Sequence, residues 1–174
     1  MANRAYLFSS DRDGTDVWAK RGDVYYDSRW TIPLAWWFLF SVADIRLIGV
    51  HYGGSSWQEV KLVADKSAAL IAFAGRRELL SRVLGRPAGD VVTDFFGTVR
   101  AWPGKYLLMD PEEVFGGGGE PDEGHHRRCL HILETIDADN SDAGDVAAVV
   151  SSYSSVGFDS EDEFIAQVVG YTYR

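Results

Sequence analysis

The chain has 174 residues, 46% of them hydrophobic and 23 aromatic (6 Trp, 8 Tyr, 9 Phe), and a formal net charge of −9. That length predicts one domain spanning 1–174, burying roughly 70% of its unfolded surface, and the hydrophobic content excludes wholesale disorder. A single cysteine, Cys129, excludes an internal disulfide; with no apolar signal region at Met1–Ala5 and no apolar run beyond Ile32–Phe40, the expectation is a soluble, cytoplasmic protein.

Ala5-Tyr-Leu-Phe8 is a short apolar run ended by Ser9, Ser10 and Asp11, and predicts a buried strand. Asp13-Gly14 signals a turn, after which Val17-Trp18 and Val24-Tyr25-Tyr26 are expected to pair as strands. Thr31-Ile32-Pro33 predicts a helix start, with Thr31 near the cap and Pro33 in the first turn. Leu34–Phe40 is apolar on every side, so that helix is buried.

Ser41 and Asp44 predict another helix start, leading into Ile45, Leu47 and Ile48. Gly53–Ser56 is a turn, and Glu59–Asp65 alternates apolar and polar residues as a half-buried strand does. Asp65 or Ser67 caps the longest helix, Ala68–Leu84, whose residues 69, 70, 73, 79, 80, 83 and 84 form one apolar stripe. Gly85 stops it. Pro87–Arg100 predicts a second helix with Val91, Val92, Phe95, Phe96 and Val99 inward, and Lys105–Asp110 a strand closed by Pro111.

Gly116–Gly119 predicts a mobile loop, extending to about residue 124. Pro121-Asp-Glu opens a helix with acids where its dipole favours them, and Cys129, Leu130, Leu133 and Ile136 form its buried stripe. Asp137–Asp142 breaks that helix, Ala143–Val150 is helical, and Ser160–Glu163 has capping-box spacing. Phe164–Tyr173 reads equally as strand or helix. The expected fold is α+β: a small mixed or antiparallel sheet packed with several helices.

Three segments carry a resemblance: Met1-Ala-Asn-Arg-Ala-Tyr-Leu7, Trp30-Thr-Ile-Pro-Leu34 and Tyr106–Phe115. Together they resemble an uncharacterised family of bacterial proteins that open M-A-N-R-x-Y-L, carry an I-P-L segment and have a strand ending E-[IV]-F. The resemblance covers about residues 1–115 and carries no catalytic residue across. It implies an accessory or immunity-like protein.

Charge is distributed unevenly. Met1–Asp110 holds 14 Lys+Arg and 12 Asp+Glu, a net of +2; Pro111–Arg174 holds 3 and 14, a net of −11; the two sum to −9. Such asymmetry points to an interacting surface. Its sign argues against nucleic acid as that surface's partner, because phosphate contacts need Lys and Arg. The expected partner is a basic protein. Its binding residues are expected to be Asp137, Asp139, Asp142, Asp145, Asp159, Glu161, Asp162 and Glu163. The basic run Arg76, Arg77, Arg82 and Arg86 reads as a solvated helix face or one docked against the acidic tail.

The alternative is chemistry at His125, Cys129 and His131, a metal-dependent module or enzyme with zinc as its cofactor. His125 and Cys129 stand four apart on one helix face, the spacing that lets two side chains hold one Zn²⁺. His131 points elsewhere, and a structural site wants four ligands. The competing reading is a partly buried thiol beside a wet His-His-Arg-Arg turn. Asp137–Asp145 resembles a calcium loop, but the places that an EF-hand gives to Gly and Glu hold Asp142 and Ala148. No G-x-S-x-G and no P-loop is present. Trp18, Trp30, Trp57 and Trp102 lie near element ends, where a half-exposed indole suits an interface, although ordinary core and rim packing is the commoner outcome for each.

Overall fold

The computed structural model describes residues 4–13, 25–87, 89–111, 114, 123–151, 153–154 and 160–173. Strand β1 (Arg4–Ser10) is buried on both faces: Ala5 and Leu7 point to one side, Tyr6 and Phe8 to the other. Strand β2 (Tyr25–Arg29) pairs with it antiparallel, Tyr6 opposite Asp27. The expected partner Val17-Trp18 lies outside the described residues.

Helix α1 (Leu34–Trp37) is one turn long. The sequence predicts a longer helix here; all seven residues of Leu34–Phe40 are fully buried, and that enclosure shapes the segment more than helix propensity does. Pro33, not Thr31, occupies the cap position, and Thr31 Oγ1 instead donates to Gln167 Oε1 at 2.6 Å. The two indoles are tied down by their N–H groups, Trp36 to the carbonyl of Val169 (2.9 Å) and Trp37 to Ser154 Oγ (3.0 Å).

Ser41 and Asp44 do form a reciprocal capping box, but the helix it opens is a single 3₁₀ turn, Val42–Asp44. Ile45, Leu47 and Ile48 belong to strand β3 (Ile45–Tyr52) rather than to a helix. Ile48 and Val50 are buried while Leu47, Gly49 and His51 are exposed, a period of two that the Ser-Asp start signal masked. Gly53 and Gly54, both at positive φ (60° and 86°), make the two-residue hairpin into β4 (Ser55–Asp65).

Asp65 caps helix α2 (Lys66–Val83), its carboxylate accepting from the N–H groups of Ser67 (2.9 Å) and Ala68 (3.2 Å). Gly85 (φ 64°) follows its end, then helix α3 (Gly89–Ala101) and strand β5 (Tyr106–Asp110). Helix α4 (Glu123–Asp137) buries Cys129, Ile132, Leu133 and Ile136, with Leu130 only half-buried, so Ile132 takes the inward place expected of Leu130. Asp142 caps helix α5 (Ala143–Val150), and Ser160 caps helix α6 (Glu161–Val169). Gly170 (φ 82°) then turns the chain into strand β6 (Tyr171–Tyr173), so the ambiguous C-terminal segment is both helix and strand. The Gly116–Gly119 loop lies outside the described residues.

The strands form one antiparallel sheet in the order β3-β4-β5-β1-β2-β6. The helices pack on one face, over Ala5, Leu7, Tyr26, Leu62, Leu107 and Met109. On the other face Tyr6, Phe8, Val63 and Leu108 form a second, smaller cluster of strand residues alone. This is a single-domain α+β fold, and no helix among the described residues is long and apolar enough to cross a membrane.

Candidate partner-binding surface

Helix α2 organises the acids of the C-terminal third. Arg76, halfway along it, binds the Asp137 carboxylate and also donates to the carbonyl of Phe40 (2.7 Å). Arg86, just past its end, binds Glu161 at 3.1 Å and lies 4.0 Å above the Phe164 ring. Arg77 donates to Thr93 Oγ1 (2.8 Å) and Arg82 pairs with Glu78 within the helix (3.3 Å). The basic run is therefore docked against acids at two points.

Arg76 lies seven residues before the end of α2, about 10 Å along its axis, and Arg86 lies beyond that end, past Gly85. The acids accordingly stand in two groups: Asp137, Asp139, Asp142 and Asp145 around the α4–α5 turn, and Glu161, Asp162 and Glu163 at the start of α6. Asp159 lies outside the described residues.

Within the first group the carboxylates have different tasks. Asp137 is held by Arg76 and accepts from the Val42 N–H (3.2 Å). Asp142 accepts from the N–H groups of Gly144 (2.7 Å) and Asp145 (3.3 Å), which caps helix α5. Asp139 and Asp145 are exposed, and their carboxylates have no partner among the described residues. The same holds for Asp162 in the second group.

Between α2 and the α4–α5 turn lies an open groove of about 600 Å³. Gly75, Arg76, Glu78 and Arg82 line one wall, Asp137 and Asp139 part of the other. Its walls carry both charges; two acids are engaged by the arginines, and Asp139 remains.

The metal candidates are placed differently. Cys129 is fully buried in the core, His125 is half-buried on the same side of α4, and His131 is exposed on another side. Among the described residues no three His, Cys, Asp or Glu side chains are grouped to hold a metal ion. Of the four tryptophans near element ends, Trp30 is 64% exposed and sits at φ 68°, whereas Trp102 is buried against Tyr26 (ring centroids 5.4 Å apart). Trp102 thus follows the core-packing reading, and Trp30 the exposed one. Trp18 lies outside the described residues, as does the Trp57 side chain.

Sequence reasoning missed a line of polar side chains on the helix-free face, running across all six strands. Arg46 stands opposite Lys61, which bonds Asp110 (2.8 Å); Asp110 stands opposite Tyr6, Tyr6 opposite Asp27, and Asp27 opposite Tyr171. Burial alone would lower the Lys61 pKa, but Asp110 and Glu59 (3.2 Å) outweigh it and hold it above its ordinary value. Asp27 is 1% exposed; its Oδ2 accepts from Arg4 (2.7 Å), while Oδ1 is buried with no hydrogen-bond partner among the described residues. Only strand pairing assembles this line, so no local motif announced it.

The chain matches no protein-family model, no curated protein and no solved structure.

Proposed function

We propose that this protein is a non-enzymatic, immunity-like or accessory bacterial protein of the cytoplasm, and that it recognises a basic protein partner through the acidic surface of its C-terminal third. One observation carries the reading. Asp139, Asp145 and Asp162 are exposed without partners among the described residues, while their neighbours Asp137 and Glu161 are held in place by Arg76 and Arg86. Internally paired acids fix the surface, and the unpaired ones leave a field for a cation from outside. Such a field steers association and contributes more to on-rate and specificity than to affinity. A phosphate backbone would be repelled by the same field.

Calorimetry or pull-down against the basic products of neighbouring genes tests this. Binding that weakens as salt rises supports it; binding indifferent to salt, or none to any basic product, overturns it.

A further inference from the structure

Helix α2 is apolar on two sides, and only one of them faces the core. Ala69, Phe73, Leu80 and Val83 point inward. Ala68, Ile71, Ala74 and Gly75 point outward, and Ile71 is 74% exposed, the most exposed large apolar residue described. An isoleucine left in water contributes nothing to the core. Gly75 costs the helix about 1 kcal/mol relative to alanine, and its missing Cβ meets nothing within 4 Å, so no close packing inside the chain calls for it. Residues 68, 71 and 75 follow the three-and-four spacing of a ridge that another helix can pack upon, and small side chains permit close approach.

This strip runs into the groove at Gly75, one turn before Glu78, and Asp139 faces it from the α4–α5 turn. From Ala68 to Glu78 is about 15 Å. Apolar residues come first and charged ones last: Asp139 is unpaired among the described residues, and Glu78 is paired with the exposed Arg82. We infer that the groove between α2 and the α4–α5 turn docks an amphipathic helix of the partner, its apolar side on Ile71 and Gly75 and a Lys or Arg at Asp139 and Glu78. The inference rests on the basic-partner reading above and names the segment that would be recognised. A second copy of this chain fits less well, because each copy carries a net charge of −9.

The test uses two synthetic 16-residue peptides of identical Leu, Lys and Ala content, one with its leucines on one helix face and one with them scrambled. Both are titrated by fluorescence anisotropy into wild type, Ile71→Glu and Gly75→Trp. The amphipathic peptide is expected to bind wild type at least about tenfold more tightly than its isomer. Gly75→Trp, which fills the groove without changing charge, is expected to remove that preference without lowering the melting temperature. If Gly75→Trp unfolds the protein, Ile71→Ser is read in its place. Equal binding of the two peptides, or full binding by Gly75→Trp, overturns the inference. So does a wild-type dimer that Ile71→Glu dissolves, because the strip then serves a second copy. Salt-dependent binding of a basic protein that persists in Gly75→Trp would remove the groove and leave the acidic recognition standing.

Discussion

Arg76 and Asp137, 61 residues apart in sequence, join the middle of α2 to the turn between α4 and α5. The same guanidinium donates to the carbonyls of Phe40 (2.7 Å) and Phe38 (3.3 Å), so one side chain fixes three segments. Arg76→Ala takes a donor from two carbonyls and from the Asp137 carboxylate, which then keeps the Val42 N–H. It is expected to cost about 2–4 kcal/mol, against about 1 kcal/mol for Asp137→Asn, which keeps an acceptor. Urea denaturation measures both; equal small effects would mean that the contact does not hold the turn.

Arg4 and Asp27 make an asymmetric pair. Asp27 is buried with one oxygen unpartnered among the described residues, while Arg4 is partly solvated. Arg4→Met strands a buried carboxylate and is expected to cost about 3 kcal/mol. Asp27→Asn removes the buried charge and keeps an oxygen for Arg4, so its cost is expected to be smaller. The reverse order in denaturation midpoints contradicts this account of the helix-free face.

Alkaline pH should weaken the fold through two groups. Tyr26 is raised from 10.0, by burial first and by Asp94 as well, against a hydrogen bond from Thr98. Lys61 is raised from 10.5 because Asp110 and Glu59 outweigh its burial. In both cases the folded state holds its proton more tightly than the unfolded chain. Their contribution is therefore complete below those ordinary values and is lost as pH rises through the folded ones. Thermal melts from pH 9 upward should show a decline that starts later, and is shallower, in the Lys61→Met, Tyr26→Phe double variant; an unchanged pH profile in that variant contradicts it.

Two glycines should respond with opposite signs. A Cβ at Gly104 would lie 2.9 Å from the Ser10 backbone, and the residue has φ 91°. Gly104→Ala is expected to cost about 3 kcal/mol. Gly75 is helical with open space at its Cβ position, and Gly75→Ala should stabilise by about 0.5–1 kcal/mol. Melting temperatures separate the two directions.

What the sequence disclosed follows from where each element's information lies. Helix α2 and its Asp65 cap were legible because both the periodic stripe and the cap are local. So were the all-round burial of Leu34–Phe40 and the break at Asp137–Asp142. Strand β3 was misread because the Ser41–Asp44 box is a true local signal that serves one turn only, after which pairing with β4 decides. The short helix-to-strand switch at Gly170 hid for a related reason. That glycine is forced by a close approach from Trp36, 134 residues earlier, whose Cζ2 would lie 2.9 Å from a Cβ. In the candidate surface, the acids were visible as composition, but their division into two groups depends on which arginine of α2 each one meets. The exposed Ile71 and the groove beside it are tertiary facts with no sequence signature.

On the function proposed here, unpaired acids on this surface steer a basic partner. The most direct measurement is the association rate with a basic neighbouring gene product at about 20 mM and about 300 mM salt, for wild type and for Asp139→Asn/Asp145→Asn/Asp162→Asn. The wild-type rate is expected to fall at least about tenfold across that range, and the triple variant to be slower at low salt with a flatter dependence. Identical rates and identical salt dependence in the two proteins would contradict it.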